Sequence, residues 1–138
     1  MNTYTVGLGC DRGVALQTVR EAVQAALAEA GASPGQVRAA ATIALKRDEA
    51  ALLALALELG WPLHFYEAGE LAAVPVPHPS ATVLRFTGTP SVSEAAALLA
   101  AGAGTPMTAL VVEKHKYRGA DGKHATVSIA RSNHERTI

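Results

Sequence analysis

Residues 3–13 read Thr3-Tyr4-Thr5-Val6-Gly7-Leu8-Gly9-Cys10-Asp11-Arg12-Gly13. The first half is β-branched and aromatic and then meets glycines, so it reads as a strand over residues 3–8 entering a tight turn. A helix follows: Val19, Val23, Ala26, Leu27 and Ala30 fall on one face, and Gly31 is placed to stop it. Outward from this unit the chain alternates. Ser33-Pro34 reads as a cap with proline at the first position of a short turn. Residues 37–45 read as a second strand, and Asp48 as the cap of a helix beginning at Glu49. That helix is apolar nearly all round from Ala50 to Leu59, which predicts packing on more than one side. Gly60 ends it, and Pro62 bars its continuation.

Leu63-His64-Phe65-Tyr66 is a short third strand, residues 67–74 a helical turn or two, and the proline-rich stretch 75–80 a loop. Ser91-Val92-Ser93-Glu94 has the form of a capping box, with helix running to about Ala101. Residues 107–113 and 124–131 are strands joined by Arg118-Gly119-Ala120-Asp121-Gly122, an antiparallel hairpin. The whole predicts one α/β domain over residues 1–138, three layers deep (α/β/α). Its mixed, mostly parallel sheet has about five strands and ends in the hairpin.

With 138 residues and 49% hydrophobic composition, the chain is long enough and apolar enough to bury a core without disulfide or metal. The single cysteine, Cys10, allows no internal disulfide. The longest unbroken apolar stretch, residues 50–57, is too short to cross a bilayer, and the N-terminus lacks the pattern of a signal peptide. A cytoplasmic protein without membrane contact is expected. Twelve Lys and Arg balance twelve Asp and Glu, which argues against a nucleic-acid partner. The basic side chains gather late, at Lys114, Lys116, Arg118, Lys123, Arg131 and Arg136, with His115, His124 and His134. That patch suits a modest anion, or is a solvated hairpin. The histidine spacing matches no metal motif, and the sequence asks for no metal or cofactor.

Chemistry is expected where strands end and helices begin, because free N–H groups and the helix dipole attract anions there. The turn holding Gly9, Cys10, Asp11, Arg12 and Gly13 is one such place; it also reads as a tight turn without a ligand. Its G-x-G-x-x-x-G spacing puts the third glycine one residue late for a dinucleotide, leaving an NAD(P)-dependent oxidoreductase as an alternative. Cys10 near a helix start beside Arg12 could have a lowered pKa and act as nucleophile, or be a small buried residue. Lys46, Asp48 and Glu49 lie at the second strand–helix junction. Glu94 is explained by its capping box, and an acid–base role would need a raised pKa.

Several stretches, in order along nearly the whole chain, resemble a known family. They are residues 7–13, Thr42-Ile43-Ala44-Leu45-Lys46-Arg47-Asp48-Glu49, Leu59-Gly60-Trp61-Pro62-Leu63, Glu70-Leu71 and Pro77-His78-Pro79-Ser80. Gly88-Thr89-Pro90-Ser91-Val92-Ser93-Glu94-Ala95-Ala96, Lys114-His115-Lys116-Tyr117 and Thr126-Val127-Ser128-Ile129-Ala130-Arg131 complete the series. The family is that of CobE and the C-terminal domain of CbiG, the cobalt-precorrin-5A hydrolase, in cobalamin biosynthesis. Two positions depart from its pattern: Ala44 stands where the family often has Asp, and His78 where it often has Asn. The length points to the stand-alone CobE form.

The resemblance implies a role near the precorrin-5 stage of corrin-ring construction. The protein would bind a polycarboxylate tetrapyrrole as carrier or accessory protein, or act as a hydrolase opening a δ-lactone. Residues 9–13 and the cations Arg12, Lys46, Lys114 and Lys116 would grip the ring's carboxylates, with Asp48, Glu49, Thr89 and Ser91 beside them. For hydrolysis, Glu49, Glu94 or an activated water are better candidates than Cys10. Other enzymes of the pathway are possible partners, and an interaction module bridging them is a further alternative.

Overall fold

The first strand, β1 (Tyr4–Cys10), alternates large and small side chains. Tyr4, Val6 and Leu8 are buried on one face of the sheet; Thr5, Gly7 and Gly9 point to the other. The structure, a computed structural model, describes residues 2–132. After β1 come α1 (Leu16–Ala30), β2 (Val37–Ile43), α2 (Ala50–Leu59) and β3 (Leu63–Tyr66). Three helices follow: α3 (Ala68–Ala72), α4 (Ala81–Thr87) and α5 (Ser93–Ala101). The hairpin β4 (Leu110–Arg118) and β5 (His124–Arg131) completes the sheet.

The strand order is β3-β2-β1-β5-β4. Strands β1, β2 and β3 pair in parallel, and β5 runs antiparallel to both β1 and β4. Four strands therefore point one way and β5 the other, the mixed, mostly parallel sheet expected. Helices α1 and α2 cover the large-residue face, where Val19, Val23, Leu27, Leu52 and Leu55 meet Val6, Leu8, Val127 and Ile129. Helices α3 and α5 cover the small-residue face, where Ala95, Ala96, Ala97 and Leu98 lie against Ala41, Ile43, Leu110 and Ala130. Small residues on both sides let α5 approach the sheet closely. Thr5 Oγ1 donates to the Ala97 carbonyl across that contact at 2.8 Å, so the buried hydroxyl is satisfied. At the far end of α5, Arg38 reaches the Ala100 and Ala101 carbonyls, where a cation complements the helix dipole.

Gly31 (φ 67°) and Gly60 (φ 72°) end α1 and α2 in the left-handed conformation. Four local expectations are corrected. The second strand stops at Ile43, and Ala44–Lys46 turn into a 3₁₀ helix instead of extending it to residue 45. Asp48 does not cap α2; Glu49 occupies the cap position without a side-chain cap bond, because Arg12 takes the Asp48 carboxylate. Helix α2 packs on one side only, leaving Leu53 and Leu57 exposed, the latter 85% so. Ser91 and Glu94 form no capping box: α5 starts at Ser93, and Ser91 Oγ accepts from the Ala95 amide at 3.4 Å. His134 and Arg136 lie outside the described residues.

Candidate functional site

At the C-terminal ends of β1 and β2 the sheet opens into a cleft of about 170 Å³. Gly9 and Cys10 form one wall, Ile43 and Lys46 a second, and Val83 and Thr87 of α4 a third. Lys114 and His124 of the hairpin close it, together with Val92 and Ser93 at the start of α5. The antiparallel register explains how the hairpin arrives there: Cys10 pairs with Ala125 and Gly9 with Thr126, so His124 stands opposite Asp11. Ser93 shares a 2.9 Å hydrogen bond with Ser128, which ties the first turn of α5 to β5.

Asp11 and His124 form a dyad. The Asp11 carboxylate accepts from the His124 backbone N–H at 2.7 Å and lies 3.0 Å from His124 Nδ1. Partial burial works to raise the Asp11 carboxyl, but the two contacts from His124 outweigh it and hold its pKa below the usual range. With Nδ1 engaged, His124 Nε2 has no hydrogen-bond partner among the described residues and can meet a ligand or a water.

The glycine turn is not the open anion cradle expected. Gly13 (φ 76°) gives its N–H to Glu49 Oε2 at 3.0 Å. Arg12 is held by Asp48 at 2.8 Å, by Glu49 at 3.2 Å and by the Leu45 carbonyl at 2.8 Å. Asp121, from the β4–β5 turn, accepts from the Ala15 N–H and the Thr18 hydroxyl, both at 2.8 Å. The protein's own carboxylates thus occupy the place where a phosphate would sit. Gly7 is likewise explained by the close approach of α5. These contacts remove the basis of the dinucleotide alternative.

The Ala15 N–H and the Thr18 hydroxyl lower the pKa of Asp121 from the usual carboxylate value. A carboxylate with a depressed folded-state pKa stabilises the fold above its unfolded pKa and stops doing so as pH falls through the folded one. An Asp121→Ala variant is therefore expected to have a lower urea midpoint than the parent at pH 7. The gap should close on acidification through the carboxylate range.

Of the residues singled out from sequence, Gly9, Cys10, Asp11, Lys46 and Lys114 line the cleft. Arg12, Gly13, Asp48 and Glu49 form the latch beside it. Thr89 and Ser91 are buried and bonded to each other, Thr89 Oγ1 donating to the Ser91 carbonyl at 3.0 Å. Lys116 is exposed, beside Thr126 at the rim. Glu94 is wholly buried, and neither carboxylate oxygen has a hydrogen-bond partner among the described residues. His124, Ser93 and Thr126 were not picked out as site residues; strand pairing across the fold brings His124 and Thr126 there, and the packing of α5 on the sheet brings Ser93. His115 faces the opposite side of the sheet, against Glu29 of α1.

For Cys10 the geometry favours the second of the two expectations, a buried thiol, over a nucleophile. Burial, the largest influence, pushes its thiol up to about 11, and Lys46 pulls it back only in part. The strand also runs to Cys10, five residues short of the helix cap at Ala15, so no helix dipole activates it. Relative to an ordinary thiol with a pKa of 9.0, the thiolate fraction at pH 7 falls roughly a hundredfold. Alkylation by iodoacetamide, followed by intact mass, is expected to be slower than for glutathione by a similar factor.

Residues 4–130 match the family model described as Cobalamin synthesis G C-terminus. A cobalt-precorrin-5A hydrolase of Priestia megaterium is 40% identical over 100 residues, which cover 72% of this chain and 27% of the hydrolase. The chain therefore spans about a quarter of that relative. Protein CobE of Sinorhizobium sp is 35% identical over 127 residues, 91% of this chain and 77% of that protein. The crystal structure of CobE, a protein from the cobalamin (vitamin B12) biosynthetic pathway, matches with a TM-score of 0.77 at 36% identity, covering 98% of this chain and 94% of the other. The sequence and the fold together place the chain in the cobalamin synthesis G C-terminus family, as a cobalamin biosynthesis protein of the CobE and CbiG C-terminal type.

Proposed function

We propose that the protein binds a carboxylate-edged tetrapyrrole of the corrin pathway, near the precorrin-5 stage, and holds it by one edge. The observation that carries this reading is the composition of the cleft. Lys46, Lys114 and the start of α5 surround a hollow otherwise walled by Ile43, Val83 and Val92. Two cations and a helix N-terminus attract a carboxylate arm, and the apolar wall takes the hydrocarbon beside it. At about 170 Å³ the cleft is smaller than the roughly 300–1,000 Å³ of a site that encloses a drug-sized ligand. It therefore accommodates an arm of the ring, and the macrocycle rests outside, over α4 and the hairpin.

A carrier or accessory role follows directly from such binding. Hydrolytic opening of a lactone is the second reading, favoured by the Asp11–His124 dyad, in which Asp11 orients the imidazole and His124 Nε2 is free to take a proton from water. Cys10, protonated at neutral pH, has no part in it. A bridging role toward other pathway enzymes would use the exposed face of α2 at Leu53 and Leu57.

The test is a titration with a purified precorrin-stage tetrapyrrole, followed by its absorbance and by co-elution on gel filtration. Spectral change with co-elution supports binding; neither at tens of micromolar ends the proposal. A new carboxylate in the recovered ligand, lost in His124→Gln, marks the hydrolase. Capture of pathway enzymes without tetrapyrrole, lost on Leu57→Glu, marks the bridge.

A further inference from the structure

Glu94, in the first turn of α5, is 0% exposed; the His78 backbone N–H approaches it, but neither carboxylate oxygen has a partner at full hydrogen-bond geometry among the described residues. A buried carboxylate in that condition is costly while charged. The charged groups facing it come from two elements. Lys114 and Glu113 approach from β4, and His78 from the 75–80 loop. His78 is itself engaged, with Nε2 2.8 Å from Glu113 Oε1. Lys114 Nζ lies 3.5 Å from the His78 carbonyl, while the same side chain lines the cleft. One ammonium therefore serves both the buried acid behind the wall and the hollow in front of it.

We propose that anion binding in the cleft is coupled to protonation of Glu94. A ligand carboxylate pairing with Lys114 cancels the positive field that favours the ionised acid and adds a negative charge nearby. The ionised form of Glu94 is then disfavoured, and one proton passes from solvent to a Glu94 oxygen. By linkage, protonation of Glu94 strengthens anion binding to the same degree. Burial, the largest influence on Glu94, already raises its pKa from the usual carboxylate value against the pull of Lys114 and His78. The inference rests on the anion-binding reading of the cleft.

The experiment uses uroporphyrin, a tetrapyrrole edged by carboxylates, as probe. Binding is followed by fluorescence from pH 4.5 to 8 and by calorimetry in buffers of different ionisation heat. The expected result is net proton uptake on binding, with affinity falling as pH rises by up to about tenfold per unit. Glu94→Gln, a neutral mimic of the protonated acid, should abolish the uptake and bind more tightly than the parent at pH 8. His78→Asn should keep the uptake, which separates Glu94 from its titratable neighbour. An infrared difference spectrum of the unaltered protein should gain a protonated-carboxyl band on binding, a readout independent of any variant's folding. Binding without proton uptake, or uptake that survives Glu94→Gln, overturns the coupling alone. No binding by the parent protein at any pH overturns the cleft reading and the coupling with it.

Discussion

Gly7→Ala is expected to destabilise the protein by about 3 kcal/mol, at the upper end of what overpacking a core costs. A Cβ at Gly7 would lie 1.8 Å from the Ser93 carbonyl oxygen and 2.7 Å from the Ala97 nitrogen. Both are backbone atoms of α5, so no side-chain rotation relieves the clash; the helix must move off β1. That movement would also break the Thr5–Ala97 bond and carry Val92 and Ser93 away from the cleft. The measurement is the urea midpoint at constant m-value, with tetrapyrrole binding as a second readout. Gly9→Ala is the control. Its Cβ would meet Val92 and Thr126 at 3.8–3.9 Å, ordinary contact, so its stability should change by less than about 0.5 kcal/mol. Equal midpoints for the two variants would show that α5 does not sit against β1 as described.

Replacing both Lys46 and Lys114 by alanine is expected to weaken tetrapyrrole binding by at least a hundredfold while leaving the fold nearly as stable as before. A charge-assisted hydrogen bond contributes about 1.5–3 kcal/mol, or tenfold to more than a hundredfold in affinity for each lysine. Neither lysine is in a salt bridge among the described residues, and buried Glu94, which loses the field of Lys114, can take up a proton, so most of the stability is kept. Arg12→Ala should behave in the opposite way. Its guanidinium holds Asp48, Glu49 and the Leu45 carbonyl, so its removal leaves buried Glu49 without its ion pair and loosens the turn, with little loss of affinity. Lys116→Ala, at the exposed rim, should change binding only slightly. Fluorescence titration of all three variants at fixed ionic strength, beside their thermal melts, decides the matter. A larger binding loss in Arg12→Ala than in the double lysine variant would move the site from the cleft to the turn.

The expectations that held rest on short-range chemistry. Gly31 and Gly60 stop helices because glycine takes positive φ without strain, and Pro34 opens a short turn because its φ is already set. Strands at Leu63–Tyr66 and His124–Arg131 follow from β-branched and aromatic runs bounded by turn residues. The expectations that failed gave a charged side chain its local partner when a distant one was available. Asp48 was assigned to its own helix and is held by Arg12, 36 positions away. Glu94 was assigned to a capping box and instead lies buried beside Lys114 and His78. Exposure of Leu57 could not be read from a helix apolar all round, since the pattern names no preferred face.

The candidate site divides along the same line. From its order of residues alone the chain determined that strands and helices alternate, that Gly9, Cys10 and Asp11 stand at the end of the first strand, and that cations collect near the hairpin. Local backbone preference and hydrophobic period are properties of neighbouring residues and survive without the fold. The tertiary structure alone decided which carboxylates fill the glycine turn, which lysines line the cleft, and that His124 meets Asp11, 113 positions earlier. Charges and hydrogen-bond donors select partners by distance in space. Those distances are set by strand register and by how closely α5 packs on β1.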